Sequence, residues 1–345
     1  MSIFVKGVCE NFCPEKESKL RIKEKLLHFF ELKDGQKHIP GTLVKCFSRS
    51  AADKKASRAE DLRTERCLQK CTEYLLKDVF MDNRKSFNTV YDFVFDRLRA
   101  VRQEIVMQNY NAQQTIRLLE PMIMFLSYSR YKLCEEAIDN FDPKICEQHL
   151  QECLKRALVC YDEIGINDMN LLEIQRRALI EALYQVFNLG SVEAMRRCLT
   201  LVDAIRLDPL FSVVFKISLS YMQGNFYRVL NGLQSLPHIL CAIGSLKLPA
   251  LRRHLYCVFS HAYSSKQLMV PVEFITHLTA HGNKAEVYDD CKYYNIKVSD
   301  DNQHLHFQKS EFKFDAAVLK CRHERFVDSK LKNTYLPEVL LLKKF

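Results

Sequence analysis

The sequence has few glycines and prolines, and it lacks long apolar runs. Nine Gly and nine Pro in 345 residues argue against glycine-rich loop architectures and long disordered stretches. No GxGxxG or GxxxxGK[ST] pattern occurs, which argues against a nucleotide-cradling loop. The first ten residues hold no signal-peptide-like apolar run, and residues 210–219, the best membrane candidate, are interrupted by Lys216. These absences predict a soluble intracellular protein.

The charge of the chain is unevenly distributed. Residues 1–70 carry 16 Lys and Arg against 10 Asp and Glu, and residues 309–345 carry nine against five. Basic ends around a nearly neutral middle indicate an anionic partner, either nucleic acid or an acidic protein, and solubility alone is the alternative. The 14 cysteines are expected to be reduced thiols, most of them in the core.

Apolar spacing and capping residues predict a succession of helices. Residues 91–108, YDFVFDRLRAVRQEIVMQ, place apolar side chains at helical spacing within a predicted helix at 87–109. Asp96 and Arg99 are spaced i,i+3 and fit a surface ion pair. Because the charged residues here alternate with apolar ones, we expect an intramolecular network. The other predicted helices are 16–32, 59–81, 112–140 with a kink or restart at Pro121, 142–163, 169–188, one from 191, 208–222, one from 226, 270–278 and 284–295.

This pattern predicts an all-α fold, a TPR-like helical solenoid in which each helix pair buries its apolar face on its neighbours. After residue 268 it changes to two short helices and then two short strands, 296–298 and 305–307, around a polar turn. That order is typical of a winged-helix module. The predicted parts are a basic N-terminal segment with a Cys-x3-Cys-Pro motif at 1–58, a solenoid at 59–267, and a winged helix with a basic C-terminal tail at 268–345.

No catalytic motif is recognisable, so we expect neither an enzyme nor a cofactor. His277 and His281 are spaced i,i+4 as in a zinc-binding helix, but Leu278 stands where the general base would be. This favours a packing or surface role for the two histidines. His304 and His306 would face the same side of a strand, where contact with phosphate and simple solvation are the alternatives.

Two cysteine pairs have the spacing of one helical turn. Cys9 with Cys13 and Cys67 with Cys71 could supply four zinc thiolates, but neither pair has the usual CxxC spacing. Buried packing is the alternative, and we expect no metal. Pro14 is expected near the first position of the following helix, where proline is favoured.

Three ordered stretches resemble motifs of the suppressor-of-actin-three/GANP (SAC3/GANP) family. The first is residues 7–17, GVCENFCPEKE, in which Phe12 stands in place of the usual methionine. The second is residues 44–52, VKCFSRSAA, followed by shorter matches at 61–63, DLR, and 72–75, TEYL. The third is the Tyr-x-Phe-x-x-Asp-Arg-x-Arg-x-x-Arg-Gln signature at 91–103. The structural signature of the family falls here on Cys9, Cys13, Pro14, Tyr91, Asp96, Arg97, Arg99, Arg102 and Gln103.

The resemblance implies a PCI-like architecture and a non-enzymatic scaffold of nuclear mRNA export and transcription-coupled processing, as in transcription-and-export complex two (TREX-2). The partners it implies are a PCI-domain protein and a small acidic proteasome-lid-type subunit, with RNA as a further partner and no membrane. No Phe-Gly repeat precedes the core and no long helix follows it, which resembles a short branch of the family. The alternative is therefore a protein-only factor of centrosome duplication and spindle assembly in mitosis, located with centrosomal partners rather than in nucleus and cytoplasm.

Basic residues cluster in the predicted winged helix, a module that often presents its second helix and wing to nucleic acid. Acidic residues on the same helix and turn would oppose phosphate, and the winged helix of PCI-type proteins also docks other proteins, so both interpretations stay open. The nucleic-acid-binding candidates are Lys284, Lys292, Lys297, Lys309, Lys313, Lys320, Arg322 and Arg325. The opposing residues are Asp289, Asp290, Asp300 and Asp301. A further basic run, either solvated or in contact with an anionic partner, is Arg49, Lys54, Lys55 and Arg58.

Overall fold

The computed structural model describes residues 4–33, 39–49 and 58–344, and these residues are mostly helical. The predicted all-α class is therefore confirmed. Within the described part of the chain, no helix combines the length and the apolar character that crossing a bilayer requires.

Two compact units make up the chain, and each is built from more than one stretch of sequence. The predicted division into three parts stays a prediction. Unit 1 comprises residues 1–129, 137–169 and 335–345, and unit 2 comprises residues 130–136 and 170–334.

Capping residues begin many of the helices as the sequence predicts. Asp142 accepts hydrogen bonds from two backbone N–H groups of the next helix, which has Pro143 in its first turn. Asp208 begins a later helix in the same way, and Gly224 adopts φ +72° in the predicted turn. The helices are α1 (Glu15–Lys23), α2 (Glu65–Tyr74), α3 (Phe87–Met107), α4 (Ala112–Lys132), α5 (Pro143–Ile164), α6 (Leu171–Phe187), α7 (Val192–Thr200), α8 (Asp203–Arg206), α9 (Pro209–Met222), α10 (Phe226–Ser235), α11 (His238–Ser245), α12 (Leu248–Ala262), α13 (Val272–Leu278), α14 (Lys284–Tyr294), α15 (Arg325–Lys332) and α16 (Leu336–Leu340).

The predicted helix at 16–32 is wrong in its second half. α1 ends at Lys23, Lys25 adopts φ +56°, and residues 29–31 form a short 3-10 turn. The helix ends early because Arg21 forms an ion pair with Glu31. Ten residues of continuous helix would separate these side chains by about 15 Å, so the chain must fold back to join them.

The structure refines two other expectations. Pro121 lies inside α4, which continues through it and ends at Lys132, so proline neither restarts the helix nor ends it. The predicted basic C-terminal tail contains two helices, α15 and α16. Apolar side chains hold both in place, because Val327 of α15 and Leu340 of α16 are completely buried.

A small antiparallel sheet lies within unit 2, at the predicted change of pattern. Its strands are β1 (Val270–Pro271), β2 (Lys297–Val298) and β3 (His304–His306), in the order β1-β3-β2. The sequence predicted β2 and β3 but missed β1, because Pro271 argues against a strand. Val270 pairs with Leu305, and Lys297 pairs with His306. Together with α12, α13 and α14, the sheet encloses one apolar core.

Candidate nucleic-acid interface and the signature helix

The signature helix α3 is anchored in the core of unit 1 by Tyr91. This side chain is 4% exposed, and its ring centroid lies 5.9 Å from that of Phe125 and 5.1 Å from that of Phe141. Burial raises the pKa of the Tyr91 hydroxyl, which therefore stays protonated. Tyr91 is thus a packing residue of the signature.

Arg97 of α3 is buried against Glu31. Its Nη2 lies 3.4 Å from Glu31 Oε1, Asp96 pairs with its Nη1, and its guanidinium lies 4.4 Å from the Phe93 ring centroid. Burial alone would raise the pKa of Glu31, but Arg97 and Arg21 outweigh that effect and hold the pKa below its usual value. The signature arginine therefore compensates a charge in the interior.

The predicted ion pair between Asp96 and Arg99 is not formed among the described residues. Asp96 Oδ2 accepts a hydrogen bond from the backbone N–H of Phe47 at 3.2 Å, and the Arg99 guanidinium lies 3.9 Å from the Phe47 ring centroid. Gln103 Nε2 donates to the carbonyl oxygen of Ser48 at 3.0 Å. Asp96 and Arg99 thus both contact Phe47 instead of each other. Through these contacts and that of Gln103, α3 fixes the position of the second motif.

Parts of that second motif and of the neighbouring basic run lie outside the described residues. They are residues 50–52 of the motif, and Lys54 and Lys55 of the run. Arg49 and Arg58, at the two ends of the run, are both exposed.

Arg102 lies at the edge of the signature. It donates to Glu152 Oε2 at 3.0 Å, and its Nη1 lies 2.9 Å from His149 Nδ1. Burial and the adjacent guanidinium lower the pKa of His149, so the neutral ring accepts the hydrogen bond from Arg102. The charged signature residues therefore all make intramolecular contacts.

Glu104, which the sequence analysis missed, is the centre of charge compensation in unit 1. It is 1% exposed, accepts from the backbone N–H of Arg63 at 2.7 Å and from Arg63 Nε at 3.0 Å, and lies 2.9 Å from Lys45 Nζ. Arg63 is completely buried and also donates to the carbonyl oxygen of Phe12 at 3.3 Å. The spacing in the sequence could have indicated that Glu104 is buried. Glu104 follows Arg97 by seven residues, about two helical turns, and so lies on the same buried face of α3.

The first motif packs its backbone against residues 62–64. Cys9 N–H donates to the carbonyl oxygen of Leu62 and Cys9 O accepts from Thr64 N–H, both at 3.0 Å. A Cβ added at Gly7 would lie 2.5 Å from the Leu62 oxygen. Glycine is therefore required there by the close approach of the two backbones.

Three of the four cysteines in the two pairs are buried, and Cys9 is partly exposed. Cys13 is 5% exposed, and Pro14 is the N-cap residue of α1, one position before the predicted one. Burial raises the pKa of Cys13 to about 11, of Cys67 to about 12 and of Cys71 to about 11. Across the described ranges, no group of three or more His, Cys, Asp and Glu side chains is placed to hold a metal ion.

In unit 2, His281 packs as one of its two expected roles allows, whereas Asp290 overturns an expectation. α13 ends at Leu278, so His281 does not share a helical face with His277. His281 Nε2 lies 3.0 Å from Asp290 Oδ2, and Asp290 also accepts from the Tyr256 hydroxyl at 3.3 Å. Asp290 is 2% exposed, so it cannot repel a phosphate at the surface. Burial lowers the pKa of His281 to about 4.

A second buried ion pair, also missed from sequence, joins α12 to the segment before α15. Arg252 Nη1 lies 2.6 Å from Glu324 Oε1, and Arg252 donates to the carbonyl oxygens of Thr279 and Ala280 at 2.9 and 2.8 Å. Arg252 is 2% exposed, as is Glu324. The guanidinium thus satisfies the carbonyl groups that follow α13.

Six of the eight nucleic-acid-binding candidates lie near one of the two ends of α14: Lys284, Arg322 and Arg325 near its start, and Lys292, Lys297 and Lys313 near its end. At its start, Lys284 lies 3.8 Å from Glu273 Oε2, and Arg325 Cβ lies 3.4 Å from where a Gly282 Cβ would be. At its end, Lys313 N–H donates to the Tyr294 carbonyl oxygen at 3.0 Å. Lys292 lies in the last turn of α14, so the second group is centred there.

Besides Lys284, which pairs with Glu273, two candidates are engaged by acidic side chains. Lys297 Nζ lies 2.8 Å from Glu311 Oε1. Arg322 faces three carboxylates at 3.7–3.8 Å, those of Glu286, Asp290 and Glu324. The prediction that Arg322 is a surface cation needs this correction, because those carboxylates already compensate its charge. The candidates that are exposed and have no ion pair among the described residues are Lys292, Lys309, Lys313, Lys320 and Arg325.

Comparison with known proteins agrees with the motif analysis. The sequence profile of the SAC3/GANP family matches residues 12–300. Protein xmas of Drosophila melanogaster is 22% identical over 324 residues, which is 89% of this chain and 15% of that protein. SAC3 family protein 1 of Schizosaccharomyces pombe is 24% identical over 362 residues, which is 97% of this chain and 34% of that protein.

SAC3 family protein B of Arabidopsis thaliana is 34% identical over a shorter stretch of 134 residues, which is 37% of this chain and 8% of that protein. The chain thus spans about a third or less of the length of these relatives. The family profile, in contrast, covers most of this chain. The chain therefore belongs to the SAC3/GANP family.

Proposed function

We propose that this protein is a non-enzymatic scaffold of the SAC3/GANP type that binds a PCI-domain protein and RNA in nuclear mRNA export. The observation that carries this proposal is the family match over residues 12–300. In this proposal the protein also contacts a small acidic proteasome-lid-type subunit, and it is present in nucleus and cytoplasm.

We also propose that the predicted region beginning at residue 268 contains a winged helix, to which α12 contributes, and that RNA binds there. The order helix, strand, helix, helix, strand, strand supports this, as does a sheet with β3 in its centre. The last turn of α14 contains two adjacent exposed residues, Lys292 and Tyr293, which offer a cation for phosphate and an aromatic ring for stacking.

The test of RNA binding is fluorescence anisotropy with a labelled single-stranded RNA at several salt concentrations. Reversing Lys292, Lys309 and Lys313 to Glu together should weaken binding and flatten its salt dependence by about 0.7 in the log–log slope per lost phosphate contact. A matched control reverses three exposed lysines of unit 1, Lys16, Lys23 and Lys25. Equal affinity of both triple variants and the wild type at low salt would reject RNA binding at this module.

The scaffold role is tested by affinity purification of the tagged protein from dividing cells, with and without ribonuclease, followed by mass spectrometry. A ribonuclease-resistant PCI-domain protein, together with ribonuclease-sensitive ribonucleoproteins, is the expected result. Centrosomal and spindle proteins without that PCI-domain protein would replace the proposal by the mitotic alternative.

A further inference from the structure

An open cleft of about 420 Å³ lies in unit 1 between the end of α3, the start of α4 and the middle of α5. Ligand pockets commonly have volumes of about 300–1,000 Å³. Its floor is apolar, since Ile105 is 6% exposed and Leu119 is 3% exposed. Val106 stands at its rim and is 75% exposed, so an apolar side chain remains uncovered beside an apolar floor.

Two guanidinium groups line the same cleft, and only one of them is compensated. Arg102 pairs with Glu152, whose carboxylate also lines the cleft. Arg156 is exposed on the next turn of α5 and has no ion pair within the described ranges. The cleft therefore combines an apolar floor with a single uncompensated positive charge.

This combination fits a peptide better than it fits RNA. A phosphate backbone requires several cations in succession, whereas Glu152 offsets one of the two arginines here. Bases also stack on exposed aromatic faces, and the aromatic residue of this cleft, Tyr110, is 7% exposed. A peptide side chain of leucine size can cover Ile105 and Val106 while an adjacent carboxylate reaches Arg156.

We propose that this cleft binds a short segment of a partner protein in which an apolar residue lies next to Asp or Glu. The apolar side chain sits on Ile105 and Leu119 beside Val106, and the carboxylate pairs with Arg156. Arg102 is paired with Glu152 and lines the side of the cleft without contacting the carboxylate of the peptide. This site lies in unit 1 and does not depend on RNA binding by unit 2.

The test selects peptides from a phage-displayed random 12-residue library on the purified full chain. Selection is repeated on Arg156→Glu and on Val106→Ser, both exposed positions whose substitution should preserve the fold. The matched controls are Arg66→Glu on α2 and Ile138→Ser, which are also exposed. Circular dichroism verifies that all four variants are folded.

The expected result is enrichment of peptides that pair Asp or Glu with Leu, Ile or Phe. Their affinity, measured by anisotropy, should fall about tenfold or more on Arg156→Glu and several-fold on Val106→Ser, and should not change on the controls. Replacing the acidic residue of the best peptide by Lys should restore binding to Arg156→Glu.

Several outcomes would overturn the proposal. One is that no peptides are enriched, or that those enriched are neutral or basic. Another is that they bind Arg156→Glu as well as the wild type. If single-stranded RNA displaces the peptides, the occupant of the cleft is nucleic acid. If sedimentation experiments show dimers that depend on Arg156, the occupant is a second copy of the chain.

Discussion

Replacing Glu104 by Gln tests whether the motifs of unit 1 are held together by one buried charge. The substitution keeps the size of the side chain and removes its charge. Arg63 is completely buried and cannot reach water, whereas Lys45 is 15% exposed in its side chain and can turn outwards. The cost of the substitution should therefore come mainly from leaving Arg63 without a counter-charge.

The size of this cost follows from the burial of both partners. Removing one member of a buried ion pair costs about 3–5 kcal/mol. The amide oxygen of the introduced glutamine can still accept from the backbone N–H of Arg63, and a typical hydrogen bond contributes about 1 kcal/mol. We therefore expect a loss of about 3 kcal/mol in the unfolding free energy. A unit of this size should then melt about 6–12 °C lower.

The measurement is thermal and urea-induced unfolding of the full chain, followed by circular dichroism. Hydrogen exchange resolves the location, because the amides of residues 62–64 should lose protection before those of α5. The matched control is Glu24→Gln, an exposed glutamate that follows α1 and should change stability by less than about 0.5 kcal/mol.

A loss below about 1 kcal/mol for Glu104→Gln would refute the reasoning. The double variant Glu104→Gln with Arg63→Met provides a second check, because replacing both charges by neutral groups removes the uncompensated cation. It should recover at least about half of the stability that Glu104→Gln loses. No recovery would mean that the hydrogen bonds of Arg63 matter more than its charge.

Three further predictions concern the other buried charges. Burial opposes ionisation of Glu31, but Arg97 and Arg21 outweigh it and lower the pKa of Glu31. The ionised Glu31 therefore stabilises the fold above pH 4.5, and this stabilisation is lost as the pH falls through the folded pKa. Urea unfolding of Glu31→Gln should lack this acid dependence. Burial lowers the pKa of His281 from 6.5 to about 4, so stability should fall as the pH drops from 6.5 towards 4, and His281→Gln should flatten the curve. Arg252→Met should lower the unfolding free energy by about 3 kcal/mol, because the buried Glu324 would keep only Arg322, at 3.8 Å, as a counter-charge, and Arg252→Met with Glu324→Leu should restore much of it.

Much of the helical order was predictable because caps and apolar spacing are local signals. α5 and α9 begin after an Asp-Pro pair as predicted, and α3 spans almost the predicted range. The failures have tertiary causes. α1 ends early because Arg21 must meet Glu31 across a fold in the chain, which no periodicity reveals.

The site was less predictable, since it depends on which charges become buried. From the sequence, Asp290 and Arg322 were expected to act as surface charges. In the structure, Arg322 Nη1 lies 3.8 Å from Asp290 Oδ1, and His281 hydrogen-bonds to the same carboxylate. Likewise, Arg99 stacks on Phe47, 52 positions away along the chain, instead of pairing with a neighbour on its helix. Spacing along one helix predicts only the pairs that tertiary contacts leave available.

The three motif stretches that identify the family meet inside unit 1 through contacts that stabilise the fold. Asp96 and Gln103 accept from and donate to the backbone of residues 47–48, respectively, and Glu104 accepts hydrogen bonds from Arg63. The backbone groups on either side of Arg63, those of Leu62 and Thr64, hydrogen-bond to the backbone of Cys9. These charges are compensated within the chain, so their first effect when mutated should be on stability. We expect binding to be carried by charges that have no partner within the described chain. Arg156 in the cleft of unit 1, and Lys292 and Lys313 near the end of α14, meet that criterion, and all three lie outside the signature.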